Sequence, residues 1–180
     1  MNRTSIVLLV AALTTCAAVA DDALQPGLMG RYYQMTSLSD FPSVPASRKP
    51  DMERVDQQIN FASTLEEFGG TKLRDNFYVS WTGVIRIPKN AAYTFYLESD
   101  DGSRLFIDGK EVVDNGGTHE MVEASGRAEL KAGDHEIKVE FFDEEEDAGC
   151  ILSWQTAGHA KETVPATAFF HKAIKGKESK

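Results

Sequence analysis

Tyr93-Thr94-Phe95-Tyr96-Leu97-Glu98-Ser99-Asp100-Asp101-Gly102-Ser103-Arg104-Leu105-Phe106-Ile107-Asp108-Gly109-Lys110 decides how the rest of the chain is read. Tyr93, Phe95 and Leu97 alternate with Thr94, Tyr96 and Glu98, and a period of two marks a strand with one buried face. Asp100-Asp101-Gly102 interrupts the pattern. Leu105-Phe106-Ile107 resumes it, and Asp108-Gly109 separates that run from Glu111-Val112-Val113. Asp-Gly between apolar runs is a strong hairpin signal, because both turn positions accept positive φ.

The same grammar extends in both directions. Upstream, Phe77, Val79 and Trp81 alternate with Tyr78, Ser80 and Thr82, and Val84-Ile85-Arg86-Ile87 continues the strand or opens a bulge after Gly83. Downstream, Ile137, Val139 and Phe141 alternate with Glu136, Lys138 and Glu140, and Ile151, Leu152 and Trp154 end the sheet region. Residues 28–35 read as a first strand anchored by Tyr32 and Tyr33. Residues 36–58 carry Pro42, Pro45 and Pro50 and read as a long loop or irregular arm, since proline lacks the donor a central strand needs. Residues 63–68 suit one helical turn before Gly69-Gly70. Many short strands with turn signals between them indicate an all-β sandwich or barrel, antiparallel and in one domain.

The ends carry different signals. Arg3, the apolar run 6–13 and Ala18-Val19-Ala20 have the form of an export signal over residues 1–20, too short to span a bilayer. Cleavage after Ala20 leaves 160 residues (180 − 20) and, with Arg3 gone, a net charge of −10 in place of −9. The expected location is secreted or periplasmic. Leu13-Thr14-Thr15-Cys16 loosely matches a lipoprotein box, so a lipid-anchored form through Cys16 is the lesser alternative. Cys150 then has no partner within the chain. Residues 21–26 read as a lead-in, 27–171 as the domain, and 172–180 as a disordered basic tail. The acidic balance argues against nucleic acid and anionic membrane as partners. No stretch of the mature chain is apolar enough to cross a membrane.

Several blocks, in order, resemble the PA14 domain family: Gly27-Leu28-Met29-Gly30-Arg31-Tyr32-Tyr33, Asp75-Asn76-Phe77-Tyr78-Val79-Ser80-Trp81-Thr82-Gly83, the stretch from Tyr93 to Lys110, Val113-Asp114-Asn115, Leu152-Ser153-Trp154 and Val164-Pro165-Ala166-Thr167-Ala168-Phe169. The resemblance covers roughly residues 27–171. It implies a β-sandwich or barrel of the kind found in bacterial toxins, glycosidases and fungal adhesins. It also implies that Asp100-Asp101 matches the adjacent aspartates which, in sugar-binding members, are joined by a cis peptide bond and hold a calcium ion against sugar hydroxyls.

That chemistry has its own logic. Calcium takes about six to eight oxygen ligands at about 2.3–2.6 Å. Adjacent carboxylates in an extended trans strand point to opposite faces, and a cis bond brings them to one side. The bland alternative is a turn whose aspartates bond to local backbone. The run Asp143-Glu144-Glu145-Glu146-Asp147 offers further carboxylates, with Asp143 and Asp147 as the metal donors and Glu144 as a ligand-facing group. It departs from relatives that place an asparagine there, and it reads equally as a solvated charged loop. Asn115 and Thr118, in Asp114-Asn115-Gly116-Gly117-Thr118-His119, could supply sugar hydrogen bonds or simply form a turn. Trp81 and Trp154 read as core. No nucleophile elbow, zinc-protease or phosphate-loop motif is present, and Cys150 reads as a buried, inert thiol. The expectation is a binding module without enzymatic activity. It recognises a glycan or cell-surface polysaccharide through calcium; the alternative is a structural or protein-interaction domain of the cell envelope.

Overall fold

The computed structural model describes residues 23–173. Within them lie thirteen strands: β1 (Leu24–Pro26), β2 (Leu28–Gln34), β3 (Met52–Asp56), β4 (Asn60–Thr64), β5 (Phe77–Ile87), β6 (Ala91–Asp100), β7 (Ser103–Ile107), β8 (Lys110–Asn115), β9 (Val122–Leu130), β10 (Gly133–Asp143), β11 (Ala148–Thr156), β12 (Glu162–Thr163) and β13 (Phe169–Lys172). Two short 3-10 turns, Phe68–Gly70 and Ala166–Ala168, are the only helical pieces among the described residues. The fold is all-β, as the alternation indicates.

Two antiparallel sheets face each other. The larger runs β1-β13-β5-β10-β7-β8, with β2 also on β5 and β3 on β2. The smaller runs β12-β11-β6-β9, with β4 also on β11. The longest ladder joins β5 to β10, from Gly133 opposite Ile87 to Asp143 opposite Phe77. At the sandwich's side, β9 lies against β8 so closely that a Cβ on Gly126 would sit 1.6 Å from the Val112 carbonyl oxygen.

Each period-two row fills the space between the sheets. Phe77, Val79, Trp81, Ile85 and Ile87 of β5 meet Tyr93, Phe95 and Leu97 of β6, with Phe141 and Trp154 among them, all buried. Both tryptophans belong to this core. Their indole N–H groups donate to carboxylates, Trp81 to the buried Asp56 at 2.8 Å and Trp154 to the exposed Glu162 at 3.0 Å. Asp56 also accepts from the Tyr32 hydroxyl at 2.5 Å and pairs with Arg54 at 2.7 Å. Asp108 (φ 49°) and Gly109 (φ 73°) form the expected left-handed hairpin turn.

Several sequence expectations shift. Leu24–Pro26 is no lead-in but a strand paired with β13, Leu24 opposite Lys172. Lys172 itself closes β13, while the rest of the expected tail from residue 174, the export signal and Cys16 lie outside the described residues. The arm at 36–58 ends in a strand, β3, on the edge beside β2, where the prolines before it do no harm. The remainder of the arm covers a second apolar cluster on the outer face of the larger sheet: Tyr33, Leu38, Tyr78 and Phe142, with Phe41 and Val44 against them. Of the helical turn expected over 63–68, Ser63 and Thr64 instead end β4, which pairs with β11, and the turn forms later, at Phe68–Gly70. β5 runs through Gly83 without a bulge, and that glycine admits the Phe170 carbonyl, 2.3 Å from where a Cβ would stand.

Candidate functional site

The two-residue period decides what happens at the end of β10. Ile137, Val139 and Phe141 face the core, and the next residue in phase is Asp143. A carboxylate therefore occupies an apolar row. Asp143 is 0% exposed, and neither of its oxygens has a hydrogen-bond partner. Burial, then the neighbouring Asp101, Asp75, Asp100 and Asp147 carboxylates, push its pKa up to about 8.

Asp100 closes β6 at the same end, opposite Gly149 of β11, and its bond to Asp101 is cis. Burial, then Asp101 and Asp147, push Asp100 up to about 6. The Asp101 carboxylate is held by main-chain donors from two loops: the His119 N–H reaches Oδ1 and the Glu144 N–H reaches Oδ2, each at 2.8 Å. Gly102 follows, and its carbonyl accepts from the Phe142 N–H at 2.9 Å. Its need for glycine comes from the Phe142 ring, 2.3 Å from an added Cβ, and not from the sharp turn its place after two aspartates suggests. Behind the pair, the Ser99 and Ser103 hydroxyls bond each other at 2.6 Å in a fully buried position.

Asp100, Asp101, Asp143 and Asp147 are thus brought to one junction, between β6 and β7 on one side and β10 and β11 on the other. They do not make a finished coordination shell. Among the described residues, no three Asp, Glu, His or Cys side chains converge tightly enough to hold a metal ion. Asn115, expected among the ligand-binding groups, is tied to the core through its amide nitrogen. It is 7% exposed, and its amide donates to Ser99 Oγ at 3.1 Å and the Val122 carbonyl at 2.9 Å, tying the loop after β8 to the core. Thr118 is exposed on that loop, and Glu144 is half-buried beside the pair. Asp75 is the residue that sequence reading missed. Its neighbour Asn76 donates its N–H to the Glu144 carbonyl at 2.8 Å, which places Asp75 in the field of Asp143. Nothing in the sequence around Asp75 signals that role, because the contact is made across distant strands.

Residues 24–168 match the model of the PA14 domain. The chain belongs to the PA14 domain family. Among relatives, the anti-sigma-I factor RsgI3 of Acetivibrio thermocellus is 30% identical over 148 residues, which is 80% of this chain and 21% of that protein. The chain therefore spans about a fifth of the curated relative it matches. An anti-sigma factor domain-containing protein from Clostridium clariflavum has a solved structure that superposes with a TM-score of 0.69 at 28% identity, over 86% of this chain and 50% of that one. A PA14 sugar-binding domain from an RTX adhesin superposes with a TM-score of 0.68 at 19% identity, over 81% of this chain and 98% of that one, and shares the fold. No helix among the described residues of this PA14 domain is long and apolar enough to cross a membrane.

Proposed function

We propose that this PA14 domain is a non-enzymatic binding module that recognises carbohydrate through a calcium ion at Asp100-Asp101. One observation carries the reading: the Asp143 carboxylate is shut away from solvent beside that pair with both oxygens unpartnered. Buried polar groups are nearly always satisfied, and a buried charge needs a counter-charge. A hard divalent cation supplies one and prefers carboxylate oxygen. Asp100, Asp143 and Asp147 would hold the ion, while Asp101, fixed by two main-chain N–H groups, keeps the pair in place and lends charge. Sugar hydroxyls would complete the shell, with Thr118 and Glu144 at the rim. A bound ion would polarise and orient vicinal hydroxyls; the chain's part is to place carboxylates where water is excluded. The net charge of −9 favours neutral glycans over acidic ones.

A second reading, a protein-interaction domain of the cell envelope without sugar, draws on the anti-sigma name of the relatives at 27–30% identity. One experiment separates the two. Melting of residues 21–180 is followed with millimolar calcium and with a chelator, and the same samples are passed over a glycan array. The carbohydrate reading expects a calcium-dependent rise, absent in Asp101→Asn, and glycan retention that the chelator abolishes. No shift across millimolar calcium refutes the metal-mediated reading. A calcium shift without any glycan retention favours the protein-interaction one.

A further inference from the structure

At the end of the sandwich opposite the aspartate junction, the tip of the β7–β8 hairpin is fastened to the start of β10. Three bonds cross the join and a fourth braces it. The Asp108 N–H donates to the Glu136 carbonyl and the Glu136 N–H to Asp108 Oδ1, each at 3.0 Å. His135 Nδ1 lies 2.6 Å from Asp108 Oδ2. His135 Nε2 lies 2.9 Å from the Lys131 carbonyl oxygen, in the turn between β9 and β10. The imidazole is mostly covered: 16% of the His135 side chain is exposed, against 50% for Asp108.

Both ring nitrogens face acceptors. A backbone carbonyl cannot donate, and the Asp108 carboxylate already accepts from the Glu136 N–H. A neutral imidazole has one N–H and one lone pair, so one of its two contacts would set a lone pair against an oxygen. The imidazolium has two N–H donors and satisfies both. The surroundings favour that charge. Burial works against it, but the Asp108 bond, the Lys131 carbonyl and then the Asp108 and Asp134 charges outweigh burial and raise the His135 pKa. Asp134, next to it on β10, is itself paired with Arg86 of β5 at 2.7 Å. The other charged side chains close along these elements are Lys131 in the β9–β10 turn, Glu136 on β10 and Lys110 at the start of β8.

We propose that His135 and Asp108 form a pH-sensitive clasp: charged His135 holds the hairpin tip on the β9–β10 turn, and loss of its proton to solvent releases the tip. A histidine whose folded value lies above 6.5 contributes fully below about pH 6.5 and loses that contribution as pH rises through the folded value. The clasp is therefore closed in mildly acidic medium and loosens on the alkaline side. It is independent of the carbohydrate reading. His135 stands near the start of β10 and Asp143 at its end, so neither group meets the other.

The test is NMR on residues 21–180. The ring signals of His119, His135, His159 and His171 are titrated, and His135→Gln assigns the one that matters. Amide exchange at Asp108 and Glu136 is followed over the same pH range, corrected for the base-catalysed intrinsic rate, with the amides of the central β5–β10 ladder as reference. In the wild-type chain His135 should titrate above 6.5. Protection of the two tip amides should be full below about pH 6.5 and fall by up to about tenfold per pH unit above it, while the reference amides keep theirs. Asp108→Asn tolerates the left-handed turn and retains an oxygen for the Glu136 N–H, but removes the charge. In that variant His135 should titrate lower than in the wild type, and in both variants the pH dependence of tip protection should flatten. A wild-type His135 that titrates at or below 6.5, a titration unmoved by Asp108→Asn, or tip protection that ignores pH while His135 titrates each overturns the clasp.

Discussion

Asp143→Asn should stabilise the metal-free protein and abolish its response to calcium. The Asp143 carboxyl starts from an ordinary value of 3.8 and is pushed up to about 8 by burial and by the carboxylates around it. A raised carboxyl pKa means that the folded chain holds a proton which the unfolded chain releases. Stability is therefore full below about pH 3.8 and declines as pH rises toward about 8. At pH 7 the loss spans 7 − 3.8, or 3.2 pH units. At about 1.36 kcal/mol per unit it comes to roughly 4 kcal/mol. In a domain of this size that moves the melting temperature on the order of 10 °C. Asparagine keeps the shape, cannot ionise, and can donate its N–H groups to the surrounding carboxylates. The assay is thermal melting in chelator from pH 5 to pH 8, repeated with millimolar calcium. In chelator, the wild-type chain should lose stability across that range while the variant changes less, leaving the variant on top at pH 7. With calcium the wild-type chain should regain stability and the variant should not. A variant no more stable than wild type at pH 7 in chelator would refute the argument that Asp143 is an uncompensated buried acid.

Three further outcomes follow from the fold. Gly126→Ala places a methyl group 1.6 Å from the Val112 carbonyl oxygen, and since that atom is backbone it cannot swing aside; urea denaturation should show a loss of about 3 kcal/mol or more, and a neutral variant would mean that β8 and β9 do not meet as described. Asp56→Ala leaves the Tyr32 hydroxyl, the Trp81 indole N–H and Arg54 without their shared acceptor and should cost about 3–5 kcal/mol, with Trp81 fluorescence following the same unfolding curve. The Cys150 thiol is 0% exposed, and burial pushes its pKa well up; it should stay unreactive to a thiol reagent at pH 8 until the chain unfolds, and labelling at native stability would contradict its place in the core.

The strands that were plain in the sequence are those with one apolar and one polar face. β5, β6 and β10 each alternate over many residues, and Asp108-Gly109 marks its own turn. The pieces that were not legible lack that contrast. β1 has three residues, and β3 presents mainly exposed or half-buried side chains on an edge, so their strand character comes from pairing with β13 and β2. Tyr33 and Tyr78 look outward by periodicity yet are covered, because an arm without period folds over them. At the site, adjacency picked out Asp100 and Asp101, and phase along β10 would have separated Asp143 from the glutamates after it. Asp75 carries no local sign, since its closeness to Asp143 is a product of the sheet. Asn115 stands in a glycine-rich loop that looks free by sequence, but its amide nitrogen is held by Ser99 Oγ and the Leu97 and Val122 carbonyls, contacts made across strands that the sequence does not display.

The clasp between β1 and β13 has a mechanical side. The two strands are antiparallel, with Leu24 opposite Lys172, and only three residue pairs join them. Tension entering at Leu24 and leaving at Lys172 meets those pairs in sequence, so they peel apart one after another. The eleven pairs of β5 and β10 lie deeper in the sheet, and Asp143 sits at the end of that ladder opposite Phe77. A pulled domain would therefore yield first at a three-pair seam, which acts as a release that absorbs extension before load reaches the carboxylate junction.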